Sequence, residues 1–208
     1  MAHQKDYLRL KNRRVSPPDL IIIITEGTVT EPEYFEKFPL PNKKVLKVHG
    51  TGKNTLTLIQ EAEEKVQQTI VWYKAKYGTE PQNPIVWCVF DKDDFPAGNF
   101  GNAINSAKAK GYHVAYSNEA FELWYLLHFN YYDSAVSRDR YKAMLSPLLK
   151  FTYEKNNPTM YEVLLEKQPS AIQNAKTLLS QYNPPNPNTD NPSTTVYELV
   201  EYLNQYIK

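Results

Sequence analysis

The order of apolar and polar positions divides the chain into alternating strand-like and helix-like stretches. Leu20 to Thr25 (LIIIIT) is a continuous, mostly β-branched apolar run, the pattern of a strand covered on both faces, as in a parallel sheet. Glu26-Gly27 ends it, and Thr30 to Phe38 (TEPEYFEKF) reads as a short helix with Thr30 as N-cap, Pro32 in the first turn and Glu31 and Glu33 near the positive end. Lys44 to His49 alternates as a weaker strand. After a Gly-containing loop, Leu56 to Tyr77 carries helical spacing at Leu58, Ile59, Ala62, Val66, Ile70 and Tyr73. Ile85 to Phe90 (IVWCVF) is the next strand and runs into Asp91-Lys92-Asp93-Asp94. Asn102 to Lys110 is a short helix capped by Gly111, and Tyr112 to Tyr116 a fourth strand ending at Ser117-Asn118. This succession of strands and helices predicts an α/β fold with a parallel sheet and helices on both faces.

Glu119 to Phe129 (EAFELWYLLHF) is helical in pattern but apolar on several sides, so it is expected to pack deep. Beyond Asn130 only helices are predicted, at about Arg138 to Lys150, Met160 to Glu166, Ser170 to Gln181 and Val196 to Ile207. The loop Asn183 to Ser193 (NPPNPNTDNPS) is expected to be kept extended by its prolines. The resulting division is a basic arm over 1–17, an α/β core over 18–130 and a helical C-terminal extension over 131–208 packed on the core.

Composition narrows the chemistry. Lys+Arg number 24 against 23 Asp+Glu, so no global field draws the protein to nucleic acid or an anionic membrane, and any polyanion contact must be local. No apolar run approaches a membrane span and the N-terminal stretch lacks the apolar centre of a secretory signal, so a soluble, cytoplasmic protein with no membrane association is expected. The single cysteine, Cys88, excludes an internal disulfide framework and reads as core. Lys5, Arg9, Lys11, Arg13 and Arg14 make the arm basic, as a solvated tail or a backbone contact.

In open α/β sheets, ligands gather outside the carboxyl ends of the strands. Glu26 follows the first strand directly, Asp91 follows the third and Asp93 lies two residues on, so the fold can bring three carboxylates together. Carboxylates packed closely repel unless protonated or neutralised by a cation, and hard oxygen ligands suit Mg2+ or Mn2+. The plainer alternative is that an acid after a strand forms a turn or caps a helix. Glu122 is the most anomalous acid, set in an apolar helix where it needs a partner: a metal, a catalytic Lys or Arg, or a structural ion pair. Glu119, at the start of the same helix, reads as a dipole-favoured surface acid. His128 flanks the apolar stripe and is expected to be a hydrogen-bonded core histidine.

The runs Ile23 to Phe35 (IITEGTVTEPEYF), Phe90 to Asp93 (FDKD) and Ser117 to Phe129 (SNEAFELWYLLHF) resemble motifs of RloB-like proteins, and Asn191 to Val196 (NPSTTV) is similar to a family segment near the C-terminus. That family in turn resembles the Toprim fold of topoisomerases, primases and overcoming-lysogenization-defect nucleases. The resemblance implies a Toprim-like parallel-stranded sheet and a metal-dependent nuclease in phage defence, acting on DNA or RNA beside an ABC-type ATPase, with a homo-oligomer left open. It implies that Asp91 and Asp93 bind Mg2+ (or Mn2+), that Glu26 binds metal or shuttles a proton, and that a second ion would use Glu31 or Glu122. Catalytic roles thus fall on Glu26, Asp91, Asp93 and Glu122, and metal ligation on Glu26, Asp91, Asp93 and Glu31.

Other motifs are weaker. Gly50 to Thr55 (GTGKNT) is not a Walker A loop, since Lys47 and Asn54 stand where glycine and Ser or Thr are required, although Lys53 is a candidate phosphate contact. Asp91 to Asp94 is neither an EF-hand, with Pro96 and Asn102 at the glycine and glutamate positions, nor a haloacid-dehalogenase motif, with Phe95 in place of threonine. Among the tyrosines and cations of the C-terminal half, Lys155 is the first candidate for substrate binding. Two alternatives to the nuclease stay open: a receiver-like phosphoacceptor using Asp91 and Ser117, and a non-catalytic metal-binding partner subunit.

Overall fold

The computed structural model describes residues 16–52, 55–92 and 97–207. Most of the basic arm, Lys53 and Asp93 lie outside the described residues.

Strands β1 (Asp19–Thr25), β2 (Lys44–Gly50), β3 (Ile85–Asp91) and β4 (His113–Asn118) form a parallel sheet, and a short β5 (Ser193–Thr194) adds to β4 antiparallel, giving the order β2-β1-β3-β4-β5. The continuous apolar runs of β1 and β3 occupy the inner positions, where both faces are covered. Their side chains alternate between two layers. Leu20, Ile22 and Ile24 of β1 meet Val86, Cys88 and Phe90 of β3 on the face covered by α2 (Thr55–Tyr77) and α3 (Ala97–Ala109). Ile21 and Ile23, with Trp87 and Val89, point to the opposite face. That face is covered by α1 (Thr30–Glu36), α4 (Glu122–Leu127), α5 (Arg138–Leu149), α6 (Met160–Leu164), α7 (Gln168–Ser180) and α8 (Val196–Asn204). Burying each such Ile, Val or Phe contributes roughly 1.5–3 kcal/mol. The thiol of Cys88 lies in the first layer, where burial pushes its pKa up to about 12. This is a mixed α/β architecture with a mostly parallel sheet, as expected of a Toprim-like core.

Several local expectations are corrected. Val29, not Thr30, is the N-cap of α1 and offers no side-chain cap, because the Thr30 hydroxyl donates instead to the carbonyl of Lys155 at 3.0 Å. The α4 helix is shorter than the apolar pattern suggested. Its first turn is replaced by a bend in which Phe121 N–H donates to Asp91 Oδ2 at 3.1 Å, and Glu119 Oε2 accepts the backbone N–H of Arg138 at 3.0 Å. The α3 helix begins at Ala97, five residues before the apolar spacing becomes visible, and ends before Gly111, which takes the left-handed conformation (φ 76°) that a helix stop requires. The Pro-rich segment before β5 is not simply extended: Asp190 is buried, its Oδ2 accepts Asn186 N–H at 2.6 Å and its carbonyl accepts Asn118 Nδ2 at 2.6 Å.

His128 is the core histidine the sequence suggests. Its Nδ1–H donates to the Trp124 carbonyl at 2.8 Å, while Nε2 is buried without a hydrogen-bond partner among the described residues. Burial holds its pKa down at about 4, against the ordinary 6.5. Among the described residues no helix is long and apolar enough to cross a membrane.

Candidate metal and phosphate cleft

Because β1 and β3 are sheet neighbours, with Thr25 paired to Val89, the residues that leave their carboxyl ends open onto one edge. Glu26 N–H donates to Val89 carbonyl at 2.9 Å, and Gly52 N–H donates to the Glu26 carbonyl at 2.9 Å. The backbone at Glu26 is thereby clamped between the ends of β3 and β2. A cleft of about 490 Å3 opens there, with Glu26, Glu31, Asp91, Glu122, Arg138 and Lys155 among its walls.

Each acid is held differently. Asp91, nearly buried at the last position of β3, accepts Phe121 N–H and, through the same Oδ2, Arg138 Nη2 at 3.3 Å. The plainer role of a strand-end acid, capping a helix start, is therefore present alongside the ion pair. Glu122 is 2 % exposed, and its Oε1 accepts the Tyr153 hydroxyl at 3.3 Å and lies 3.6 Å from Lys155 Nζ. Burial, followed by the Glu122 charge, keeps the Tyr153 phenol protonated, so the hydroxyl is the donor. Glu31, buried on α1, accepts Gly27 N–H at 3.1 Å. Burial is the largest influence on its carboxyl and raises its pKa; its own and the Gly27 backbone N–H groups oppose this, Glu122 reinforces it, and Lys155 opposes it again.

Two glycines make this packing possible. A Cβ on Gly27 would stand 2.1 Å from Glu31 Oε2, so the absence of a side chain is what lets that carboxylate lie against the loop. At Gly50 a Cβ would stand 2.6 Å from Thr28 Cα and 2.7 Å from the Gly27 carbonyl, so the loop after β1 can rest on the end of β2 only because residue 50 is glycine.

Of the sequence-selected residues, Glu26, Glu31, Asp91, Glu122 and Lys155 share this cleft. Asp93 and Lys53 lie outside the described residues. Among the described residues no group of three or more His, Cys, Asp or Glu is already arranged to hold a metal ion. The cleft nevertheless offers hard oxygen donors, the carboxylates of Glu26, Glu31, Asp91 and Glu122 beside the hydroxyl of Thr28 and the amide of Asn156, with no His or Cys among its described lining, the chemistry that suits Mg2+ or Mn2+ rather than a softer ion. Ser117 is not among the cleft residues, and its hydroxyl shares a 3.0 Å hydrogen bond with Thr194 on β5.

Arg138, Tyr153 and the Thr30 anchor were missed by sequence reasoning. One signal pointed to Arg138: it is the first residue of α5, where a cation is disfavoured by the helix dipole and needs an acid to offset it. Glu119 also proves more than a surface acid, because it holds the backbone of Arg138 and so aims that side chain across the cleft. Tyr153 gave no local signal, since it reaches Glu122 from a loop 31 residues away.

The family model described as RloB-like protein matches residues 21–203. No curated protein and no solved structure matches the chain significantly.

Proposed function

Since the chain belongs to the RloB-like protein family, we propose that it hydrolyses nucleic-acid phosphodiester bonds with a divalent metal at the cleft between the ends of β1 and β3. The observation that supports this most is the joint lining of one cleft by four carboxylates, Glu26, Glu31, Asp91 and Glu122, and two cations, Arg138 and Lys155. A phosphodiester is an anion, and carboxylates alone would repel it; the two cations resolve that conflict. Both side chains are 40 % exposed, so each can meet a phosphate oxygen while staying beside its acid.

A Mg2+ or Mn2+ ion held by Glu26, Asp91 and Asp93, with Glu31 as a further oxygen donor, would supply Lewis acidity to the phosphate and a water of lowered pKa. The protein's own groups do the rest. Arg138 orients the phosphate from the α5 side, its position fixed by the hydrogen bond from its backbone to Glu119. Lys155 does so from the opposite wall, where Thr30 holds its carbonyl. Glu122 moves a proton at the reacting water or the leaving oxygen, and the Tyr153 hydroxyl fixes the orientation of its carboxylate. Phe121 lines the cleft and limits bulk water beside the acids.

Glu26→Gln and Asp91→Asn are expected to lower metal-dependent cleavage of DNA or RNA at least about a hundredfold with little change in melting temperature. Cleavage at the wild-type rate in either variant, in the presence of Mg2+ or Mn2+, would sink the proposal. An ABC-type ATPase is the partner this reading implies, and co-purification of the two chains tests it.

A further inference from the structure

The sheet edge formed by β2 carries a feature the cleft does not use. β1 pairs with one side of β2, and no described strand pairs with the other. Side chains alternate along β2, so Lys47 and His49 share the α2 side while Leu46 and Val48 pack into the opposite layer. From α2, residues Lys65, Thr69, Trp72 and Lys76 form a stripe at helical spacing that meets them. Lys47 Nζ lies 3.9 Å from the centroid of the Trp72 ring and Lys76 Nζ 5.1 Å from it. One turn along, His49 Nε2 lies 2.9 Å from Thr69 Oγ1. Burial lowers the pKa of His49, and the charges of Lys65 and then Lys47 lower it further, a sign of local positive potential.

We propose that this seam between β2 and α2 is a second contact site for a nucleic-acid phosphate backbone, which it guides into the cleft; the assignment rests on the nuclease reading above. Direction supports it. The β2 strand runs toward Gly50 and Gly52, and Gly52 is part of the cleft wall, so the cations stand in line with the site. From Lys47 to Gly50 the distance along the strand is about 10 Å. Trp72 holds the two ammonium groups in place, which reduces the ordering cost of using them. With a net charge of +1, the chain has no long-range attraction to a polyanion, so the grip has to be local. Glu61, one turn from Lys65 toward the cleft, is the opposing charge on the stripe. An acidic peptide following the same line would meet a wall of carboxylates with no phosphate chemistry to perform there.

The test measures binding of a short duplex DNA and a single-stranded RNA by fluorescence anisotropy, in EDTA and over a range of salt. For Lys47→Gln/Lys76→Gln, the slope of log affinity against log salt is expected to become shallower by about 1.8 on duplex or about 1.4 on single strands. Lys110→Gln/Lys176→Gln, with the same change in charge but at Lys110, paired with Glu63, and Lys176, paired with Glu201, should keep the wild-type slope. Lys47→Arg/Lys76→Arg, which keeps both charges, should retain the wild-type slope, and matching melting temperatures show that the fold is kept. A seam variant with the wild-type slope overturns the proposal, while Glu26→Gln judges the nuclease reading separately. Failure of the wild type to bind either probe also overturns it, as does seam-dependent binding of polyglutamate in their place.

Discussion

The two faces of the sheet are built from the same strands and differ in kind. The layer beneath α2 and α3 joins Ile22, Ile24, Cys88, Phe90, Phe100 and their neighbours in close apolar packing. The layer beneath α1 and α4 to α8 is also apolar, but Glu31, Glu122, His128 and Gln168 are buried on that side, with Gln168 Nε2 donating to the Tyr34 hydroxyl at 3.3 Å. Apolar packing tolerates small errors of geometry and is non-directional; a buried polar group must find its partner or cost free energy. One side therefore supplies rigidity and the other holds the polar groups of the cleft, and the second can be specific because the first is plain.

The largest expected contrast is Phe100→Ala. Its ring is fully buried and makes edge contacts with Phe90 at 5.5 Å and Tyr116 at 5.6 Å. The substitution should cost about 3–5 kcal/mol in urea unfolding, with the proposed metal binding of the folded fraction unchanged. A loss under about 1 kcal/mol would mean the plain layer is not the rigid one.

Next in size is the acid response of the buried histidine on the polar side. His128 has a folded-state pKa of about 4 against an ordinary 6.5. Between those values the unfolded chain binds a proton that the folded chain does not. Its contribution is therefore complete above about pH 6.5 and is lost as the pH falls toward 4, by up to about 3 kcal/mol. Comparing denaturation of the wild type and His128→Gln across this window isolates the effect; parallel pH curves would remove His128 as its origin.

Smallest is a contrast within the cleft loop. Gly50→Ala presses on the Thr28 and Gly27 backbone and should cost about 2–3 kcal/mol, whereas Gly27→Ala meets only the end of the Glu31 side chain and should cost about 1 kcal/mol. Titration with Mn2+ should nevertheless show weaker binding in both, because each moves Glu31 or its loop. Unchanged Mn2+ affinity in both would separate Glu31 from the proposed metal site.

Legibility in the sequence followed the same division. β1 and β3 could be read because a run such as IIII or VWCVF has few alternatives to a covered strand. The acids after those strands could be read for the same reason, since a strand's end fixes where the next residue emerges. Tyr153 could not, and for Arg138 only the need for an acid could, not which acid, because their places depend on how the chain folds back between α4 and α6. Thr30 was misassigned because a hydroxyl that suits a cap equally suits a distant carbonyl. β5 escaped because two residues carry no periodicity; its identity comes from Thr194 Oγ1 and Thr195 N–H, both donating to the Tyr116 carbonyl.

That last pairing bears on the time course of folding. Ser117 and Thr194 meet across 77 residues of chain, and Tyr116 and Asn118 find their outer partners at Thr195 and Asp190. On the ribosome, β1 through β4 emerge long before the segment that finishes their sheet. Until residue 195 has left the exit tunnel, the outer side of β4 stays open, and a nascent chain waiting in that state exposes the edge most prone to pair with a neighbour. The cleft thus depends on strands made early, and their protection on a segment made late.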